Sequence, residues 1–263
     1  MEYIGSKDNS TIKEIKRLKE KKYRKDNNMF LVEGFRFAEE ALDSNFEVVQ
    51  IFISASGEFK YENSAVKKKI QKNTKVFSVS DSLFKCICDT ENPQGIIATV
   101  RNKSVEIKYD NGFYVLADKI QDPGNMGTII RTAHAAGALG VIITKGTVDI
   151  YNEKTLRATM GSIFKMPVIY DSDLSTVKKL RDVGFKLVTS SLECDKNFYD
   201  IDLSGKVIIS VGNEGNGISQ EVYNLSDLKI KIPMPGGAES LNAAVAASIM
   251  IYEVVRQKNN FNL

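Results

Sequence analysis

The chain has 263 residues, 43% of them hydrophobic and 26% charged, and 36 Lys and Arg against 33 Asp and Glu leave a net charge of +3. This is the make-up of a soluble globular protein of one large or two small domains. The N-terminus is polar and no apolar run nears membrane-spanning length, so no signal peptide and no membrane anchor are expected.

In chain order, Thr11–Lys25 reads as one basic amphipathic helix with Ile12, Ile15 and Leu18 on one side. Residues 1–25 carry nine Lys or Arg against four Asp or Glu. That face either contacts phosphates or is simply solvated. Phe30–Val32 is a predicted strand, followed by Glu33-Gly34 and a helix over Phe35–Leu42. Val48–Ile53 is the next strand, Ala65–Gln71 a helix and Lys75–Val79 a strand. Ser80 and Asp81 introduce a short helix to Cys88, and Gly95–Val100 closes the set. This alternation makes residues 1–100 a compact α/β domain. Arg101–Asn111 is polar and charged and reads as a linker.

Residues 112–263 form the second predicted domain. Phe113–Ala117, Gly140–Thr144, Pro167–Tyr170 and Lys186–Ser190 read as strands, with helices over Thr128–Ala136, Asn152–Met160 and Leu174–Val183. Val207–Val211 and Leu228–Ile232 are further β-branched runs of buried-strand type. The alternation predicts a parallel sheet with helices on both faces. From Ser240 to Gln257 runs a helix whose first half is apolar on nearly every face. Such a helix should be buried on both sides. The sheet covers only one of them, so the other must meet further helices or a partner subunit.

Cys86, Cys88 and Cys194 make no even framework, and Cys86-Ile-Cys88 lacks a second pair or a nearby histidine, so no metal site is expected. Buried free thiols in a reducing cytoplasm are the better reading. His134 is the single histidine. It excludes a His-rich metal centre, and its helical position points to packing.

The strand Val207–Val211 empties into Gly212–Gly217 (GNEGNG), and Leu228–Ile232 into Pro233–Asn242 (PMPGGAESLN). Two strand ends and a helix start thus converge on Gly-rich loops, as at ligand sites of α/β proteins. Gly212, Gly215 and Gly217 are spaced G-x-x-G-x-G, not as the dinucleotide fingerprint, and no P-loop Lys-Ser/Thr follows. A nucleotide-dependent oxidoreductase is therefore disfavoured. Alone, the first loop is equally readable as a tight turn, and Ser240 as a helix N-cap. Upstream, however, stands a third segment, Asp122–Ala133 (DPGNMGTIIRTA), with Asn-x-Gly and Arg-x-Ala elements.

Together, in this order, the three motifs resemble those of the SpoU/TrmH family of RNA ribose 2′-O-methyltransferases, members of the knotted SPOUT superfamily. The likeness spans about Tyr114 to Gln257. More loosely, Phe30–Leu42 (FLVEGFRFAEEAL) and Asn92–Val100 (NPQGIIATV) resemble the ribosomal-protein-like RNA substrate-binding domain of many members. The resemblance implies an α/β fold whose parallel-sheet domain is threaded into a trefoil knot, where chain physics alone predicts an unknotted sheet. It also implies S-adenosylmethionine as cofactor, RNA as partner and a homodimer through the C-terminal domain.

By the same resemblance Gly212, Ile232 and Leu241 line the cofactor pocket, with Thr189, Asn213, Gly215 and Met234 as neighbours. Arg131 is the expected catalytic residue, because a ribose hydroxyl must lose its proton or have its alkoxide stabilised. A guanidinium holds its proton too firmly to serve readily as a base, which leaves phosphate binding and oxyanion stabilisation. Asn125 would orient the ribose or RNA backbone, Glu214 would hold Arg131 by a charge-assisted bond, and Ser240 and Asn242 would complete the polar wall. Two other readings are a non-catalytic RNA-binding or ribosome assembly protein and a transfer-RNA 2′-O-methyltransferase. The five polar residues weigh against the first. The N-terminal domain favours 23S ribosomal RNA over the second.

Overall fold

The computed structural model describes residues 1–259 apart from 192, 193 and 195. It divides into two units: Met1–Ser104 with Tyr151–Phe164, and Val105–Ile150 with Lys165–Leu263.

The first unit holds β1 (Glu2–Ile4), α1 (Ser10–Arg17), α2 (Lys21–Asn27), β2 (Met29–Glu33), α3 (Phe35–Leu42), β3 (Glu47–Ser54), α4 (Glu58–Glu62), α5 (Ala65–Lys69), β4 (Lys75–Val79), α6 (Asp81–Ile87) and β5 (Ile96–Arg101). Its sheet runs β1-β4-β3-β5-β2, with β1, β4 and β3 parallel and β5 antiparallel to both its neighbours. Ile12 and Ile15 pack with Phe52, Phe77, Leu83, Phe84 and Ile87 on one face. The single helix expected over Thr11–Lys25 is broken after Arg17. There the Arg24 guanidinium turns back onto the carbonyls of Leu18 and Lys19, at 2.8 and 2.7 Å, satisfying acceptors that an unbroken helix would have bonded itself.

Tyr151–Phe164 departs from the expected domain boundary. Helix α8 (Glu153–Thr159) and its flanks belong to the first unit rather than the second. The reason is aromatic packing: Tyr151 stacks on Phe30 with centroids 4.4 Å apart, and the Phe164 ring meets Phe30, Phe37 and Phe46 at 6.3, 5.3 and 5.4 Å. A helical pattern in sequence does not say which sheet the helix will cover.

The second unit holds β6 (Phe113–Ala117), α7 (Pro123–Ala135), β7 (Gly140–Thr144), β8 (Val168–Asp171), α9 (Ser175–Asp182), β9 (Lys186–Ser190), β10 (Val207–Val211), α10 (Gln220–Leu225), β11 (Leu228–Ile230) and α11 (Ala243–Lys258). Its six strands run β11-β9-β10-β6-β7-β8, every neighbouring pair parallel. The central β6 and β10 are buried at every residue, which is why both read as unbroken apolar runs. Tyr114, Leu116, Ile142, Leu187 and Ile208 pack with Val177 and Leu180 of α9 and Val222 of α10. Helices α7 and α11 pack on each other, α7 against β6 and β7 and α11 against β10.

Both helices start elsewhere than expected. α7 begins at Pro123, not Thr128: Asp122 caps it by accepting from Asn125 N at 2.7 Å, and proline's fixed φ suits a first helical turn. α11 begins at Ala243, capped by Asn242 rather than Ser240. It buries Ala243, Ala244, Ala247, Met250, Ile251 and Val254, while Val245 and Tyr252 stay 48% and 51% exposed. Within a single chain, then, only one of its apolar faces is covered.

Candidate active site

The site is assembled where β6, β9 and β10 end. Val211 runs into Gly212, where an added Cβ would lie 2.2–2.4 Å from the backbone of Gly217 and Ile218, so only glycine lets the loop fold back on itself. Asn213 and Gly217 then exchange backbone hydrogen bonds of 2.8 and 2.9 Å. Asn213 Oδ1 accepts from the N–H groups of Gly215 and Asn216 at 3.0 and 2.9 Å, an Asx turn that shapes the loop from inside. This loop forms one wall of a cleft of about 480 Å³. Ile232, Met234, Ser240 and Leu241, from the stretch between β11 and α11, form another, and Ser190 and Ser191 at the end of β9 contribute a third edge.

A polar network ties this cleft to the start of α7. The Glu214 carboxylate accepts from Asn125 Nδ2 at 2.9 Å and from the backbone N–H groups of Gln121 and Asp122 at 3.2 and 3.3 Å. Asn125 Oδ1 accepts in turn from Asn242 Nδ2 at 2.9 Å, while Asn242 Oδ1 caps α11 through Ala244 N and Val245 N. Burial works to raise the Glu214 pKa, but the Asn125 amide and the N–H groups of Glu214, Gln121 and Asp122 outweigh it and hold the carboxyl below the ordinary glutamate value. One residue from each of the three sequence motifs is therefore joined in a single chain of hydrogen bonds.

Of the residues expected to hold a cofactor, Gly212, Asn213, Gly215, Ile232, Met234 and Leu241 line the cleft. Thr189 does not. It is fully buried and its hydroxyl is engaged by Ser226, so the exposed edge of β9 falls to Ser190. Glu214 and Ser240 line the cleft, and Asn125 and Asn242 adjoin it through the network. Arg131 stands apart. It projects from the exposed side of α7, along with Thr128 and Ala135, and has no hydrogen-bond or ion-pair partner among the described residues. The expected Glu214–Arg131 bond is not formed, because Asn125 and the backbone before α7 take up the carboxylate.

Sequence reasoning missed Ser191, Gln220, Tyr223, Ala243 and Ala246 in the cleft wall. Tyr223 and Gln220 come from α10, a helix with no motif of its own, and the Lys229 ammonium lies 3.6 Å from the Tyr223 ring centre. The thiols are free, but only Cys88 is buried; Cys86 is exposed and Cys194 half-buried, which corrects the expectation of three buried thiols. His134 is half-buried, and burial followed by the nearby Lys165 charge pushes its pKa down.

Comparison with known proteins places this geometry among relatives. Residues 112–252 match the SpoU rRNA Methylase family, and residues 9–98 match an MRM3-like substrate binding domain. The chain is 35% identical over 254 residues to the 23S rRNA (guanosine(2553)-2′-O)-methyltransferase RlmP of Bacillus subtilis, covering 97% of this chain and 99% of that one. Among solved structures it is similar to an AdoMet-bound rRNA methyltransferase from Sinorhizobium meliloti, with a TM-score of 0.87 and 31% identity over 97% of each chain. It is also similar to the SpoU methyltransferase AviRb of Streptomyces viridochromogenes in complex with AdoMet, with a TM-score of 0.87 and 29% identity over 95% of this chain and 98% of that one.

Proposed function

The chain belongs to the SpoU rRNA Methylase family, and from that premise we propose that it methylates a ribose 2′-hydroxyl of 23S ribosomal RNA in the cytoplasm, with S-adenosylmethionine as donor. The observation that carries the reading is the hydrogen-bonded series Glu214–Asn125–Asn242 beside a cleft built from the Gly212 loop. A non-catalytic RNA binder of the same fold has no use for that arrangement. Likeness to the Bacillus enzyme over nearly the whole of both chains makes the guanosine it methylates the first position to test.

The cleft suits the cofactor. Its volume lies in the range of small-molecule sites, about 300–1,000 Å³. Ile232, Leu241 and Ala246 offer apolar surface for a flat base, and the loop opposite them presents backbone rather than bulky side chains. Gly212, Asn213, Gly215 and Met234 would hold the polar edges. When bound, S-adenosylmethionine supplies an activated methyl group for in-line displacement.

The chain's own groups must then present the nucleophile. Asn125 uses one amide hydrogen on Glu214 and its carbonyl on Asn242, which fixes its orientation and leaves one N–H to offer an RNA oxygen. The Ser240 hydroxyl has no partner among the described residues and faces the cleft. Arg131 presents a planar fork of N–H donors suited to phosphate, so it acts by binding phosphate and stabilising the developing alkoxide rather than by taking the proton.

Two further parts of the reading rest on the second unit. Val245, Ile249 and Tyr252 recur at helical spacing on the open side of α11, which supports a C2 homodimer through α11 and α7. The trefoil thread of the C-terminal segment comes with the family, and the parallel sheet with β10 inserted between β9 and β6 supports it. In the first unit, Lys21, Lys22 and Lys25 are exposed and unpaired among the described residues, a surface suited to phosphates. Mapping 2′-O-methylation of 23S RNA in a deletion strain and its parent tests the whole reading. Loss of one methyl mark is expected, and unchanged 23S RNA together with a newly unmethylated transfer RNA would overturn it.

A further inference from the structure

Two residues at the end of β6 grip both ends of the Gly-rich loop, and neither lines the cofactor cleft. Asp118 is completely buried. Its Oδ1 accepts from Thr144 Oγ1 at 2.7 Å and its Oδ2 from Ser219 N at 2.6 Å, while its own N–H donates to the Val211 carbonyl at 2.9 Å. The next residue, Lys119, lies in the left-handed region at φ 54°, a costly conformation for a residue with a side chain. That turn brings the Lys119 carbonyl to Asn213 Nδ2 at 2.9 Å and its N–H to Thr144 Oγ1 at 3.0 Å. The loop is thus pinned at its first residue, Asn213, and at its last, Ser219. Thr144 of β7 bonds to both pinning residues.

We propose that Asp118, braced by Thr144, is a positioning residue that presets the loop Asn213–Ser219 for cofactor binding. A buried carboxylate is expensive, and apolar residues could pack this strand end without one. What an apolar residue lacks is a charged acceptor for Ser219 N, a stronger partner than a neutral one. Holding the loop closed before the cofactor arrives lowers the ordering cost of binding. It also keeps Glu214, carried on the same loop, aligned with Asn125.

The inference rests on reading the cleft as the S-adenosylmethionine site, so one of its two tests does not depend on that. Amide hydrogen exchange at Gly215, Asn216 and Gly217 is followed without cofactor, and S-adenosylmethionine Kd is measured by calorimetry, in Asp118→Asn, Thr144→Val and Thr144→Ser. Asp118→Asn and Thr144→Val should speed exchange and weaken binding, each about tenfold, the effect of losing one charge-assisted bond. Thr144→Ser, which keeps the hydroxyl, should restore both to near wild type, and RNA affinity should not move. Folded Asp118→Asn protein with unchanged exchange and Kd overturns the proposal, as does Thr144→Ser impaired as much as Thr144→Val. If Asp118→Asn does not fold, the Thr144 pair decides. If wild-type protein binds no S-adenosylmethionine, the cleft reading fails and exchange alone judges the clamp.

Discussion

Arg131 is an expected catalytic side chain that the fold leaves without a partner among the described residues. Charge complementarity, which is legible in sequence, points to Glu214 as its partner. What sequence does not carry is that the backbone before α7 and the Asn125 amide reach that carboxylate first. A guanidinium left free on an exposed helix face can be recruited by RNA phosphate. Arg131→Ala should therefore cut single-turnover methyl transfer on the order of 10²–10³-fold, the effect of losing an oxyanion-stabilising group, with S-adenosylmethionine Kd unchanged. Near-normal turnover would remove Arg131 from the chemistry. Glu214 gives a pH prediction of definite sign. Its folded pKa is depressed, so its contribution is fully present above the unfolded value of about 4.3 and is lost as pH falls through the folded value. Amides of Gln121 and Asp122 should lose protection in that acid window, and Glu214→Gln should abolish the pH dependence. Protection that is flat with pH in the wild type would show that the carboxylate does not hold this turn.

The elements divide sharply by how local their causes are. Phe113–Ala117, Gly140–Thr144, Lys186–Ser190 and Val207–Val211 are strands over just the residues their β-branched runs indicate, because a strand buried on both faces needs little but apolar side chains. Helix starts are harder, since Asp122 and Ser240 are equally good caps on paper. Asn242 displaces Ser240 because its amide bonds Asn125 while its oxygen caps α11, a choice made between elements far apart in sequence. The outer stripe of α11 was legible as apolar, but the periodicity could not tell a core helix from an interface helix. Its exposure yields a third prediction. Burying one large side chain contributes about 1.5–3 kcal/mol, so Ile249→Glu or Tyr252→Glu should weaken dimers at least tenfold and lower activity in parallel. Analytical ultracentrifugation at assay concentration settles it, and a fully active wild-type monomer would sink the dimer.

For the whole molecule, the sequence conveys two α/β assemblies but not that residues 151–164, inside the span that matches the SpoU rRNA Methylase family, pack in the first unit. Tyr151–Phe164 lies between two neighbouring strands of the second sheet in sequence and packs in the first unit. A simple truncation of residues 1–100 therefore strips the ring partners from Tyr151 and from the buried Phe164. That truncated protein should aggregate. Replacing residues 151–164 by a Gly-Ser linker in the same truncation should restore a soluble domain that binds S-adenosylmethionine but has lost most RNA affinity. Equal solubility of the two truncations would mean that the segment does not depend on the first unit.

The same threading sets a schedule for synthesis. A ribosome releases residues 1–104 as an incomplete body, with the side of Phe30, Phe37 and Phe46 that Phe164 will cover still open to water. The missing piece arrives about 60 residues later, which at roughly 5–20 residues per second takes about 3–12 s. For that interval the nascent chain carries an unsealed aromatic patch, open to non-native association.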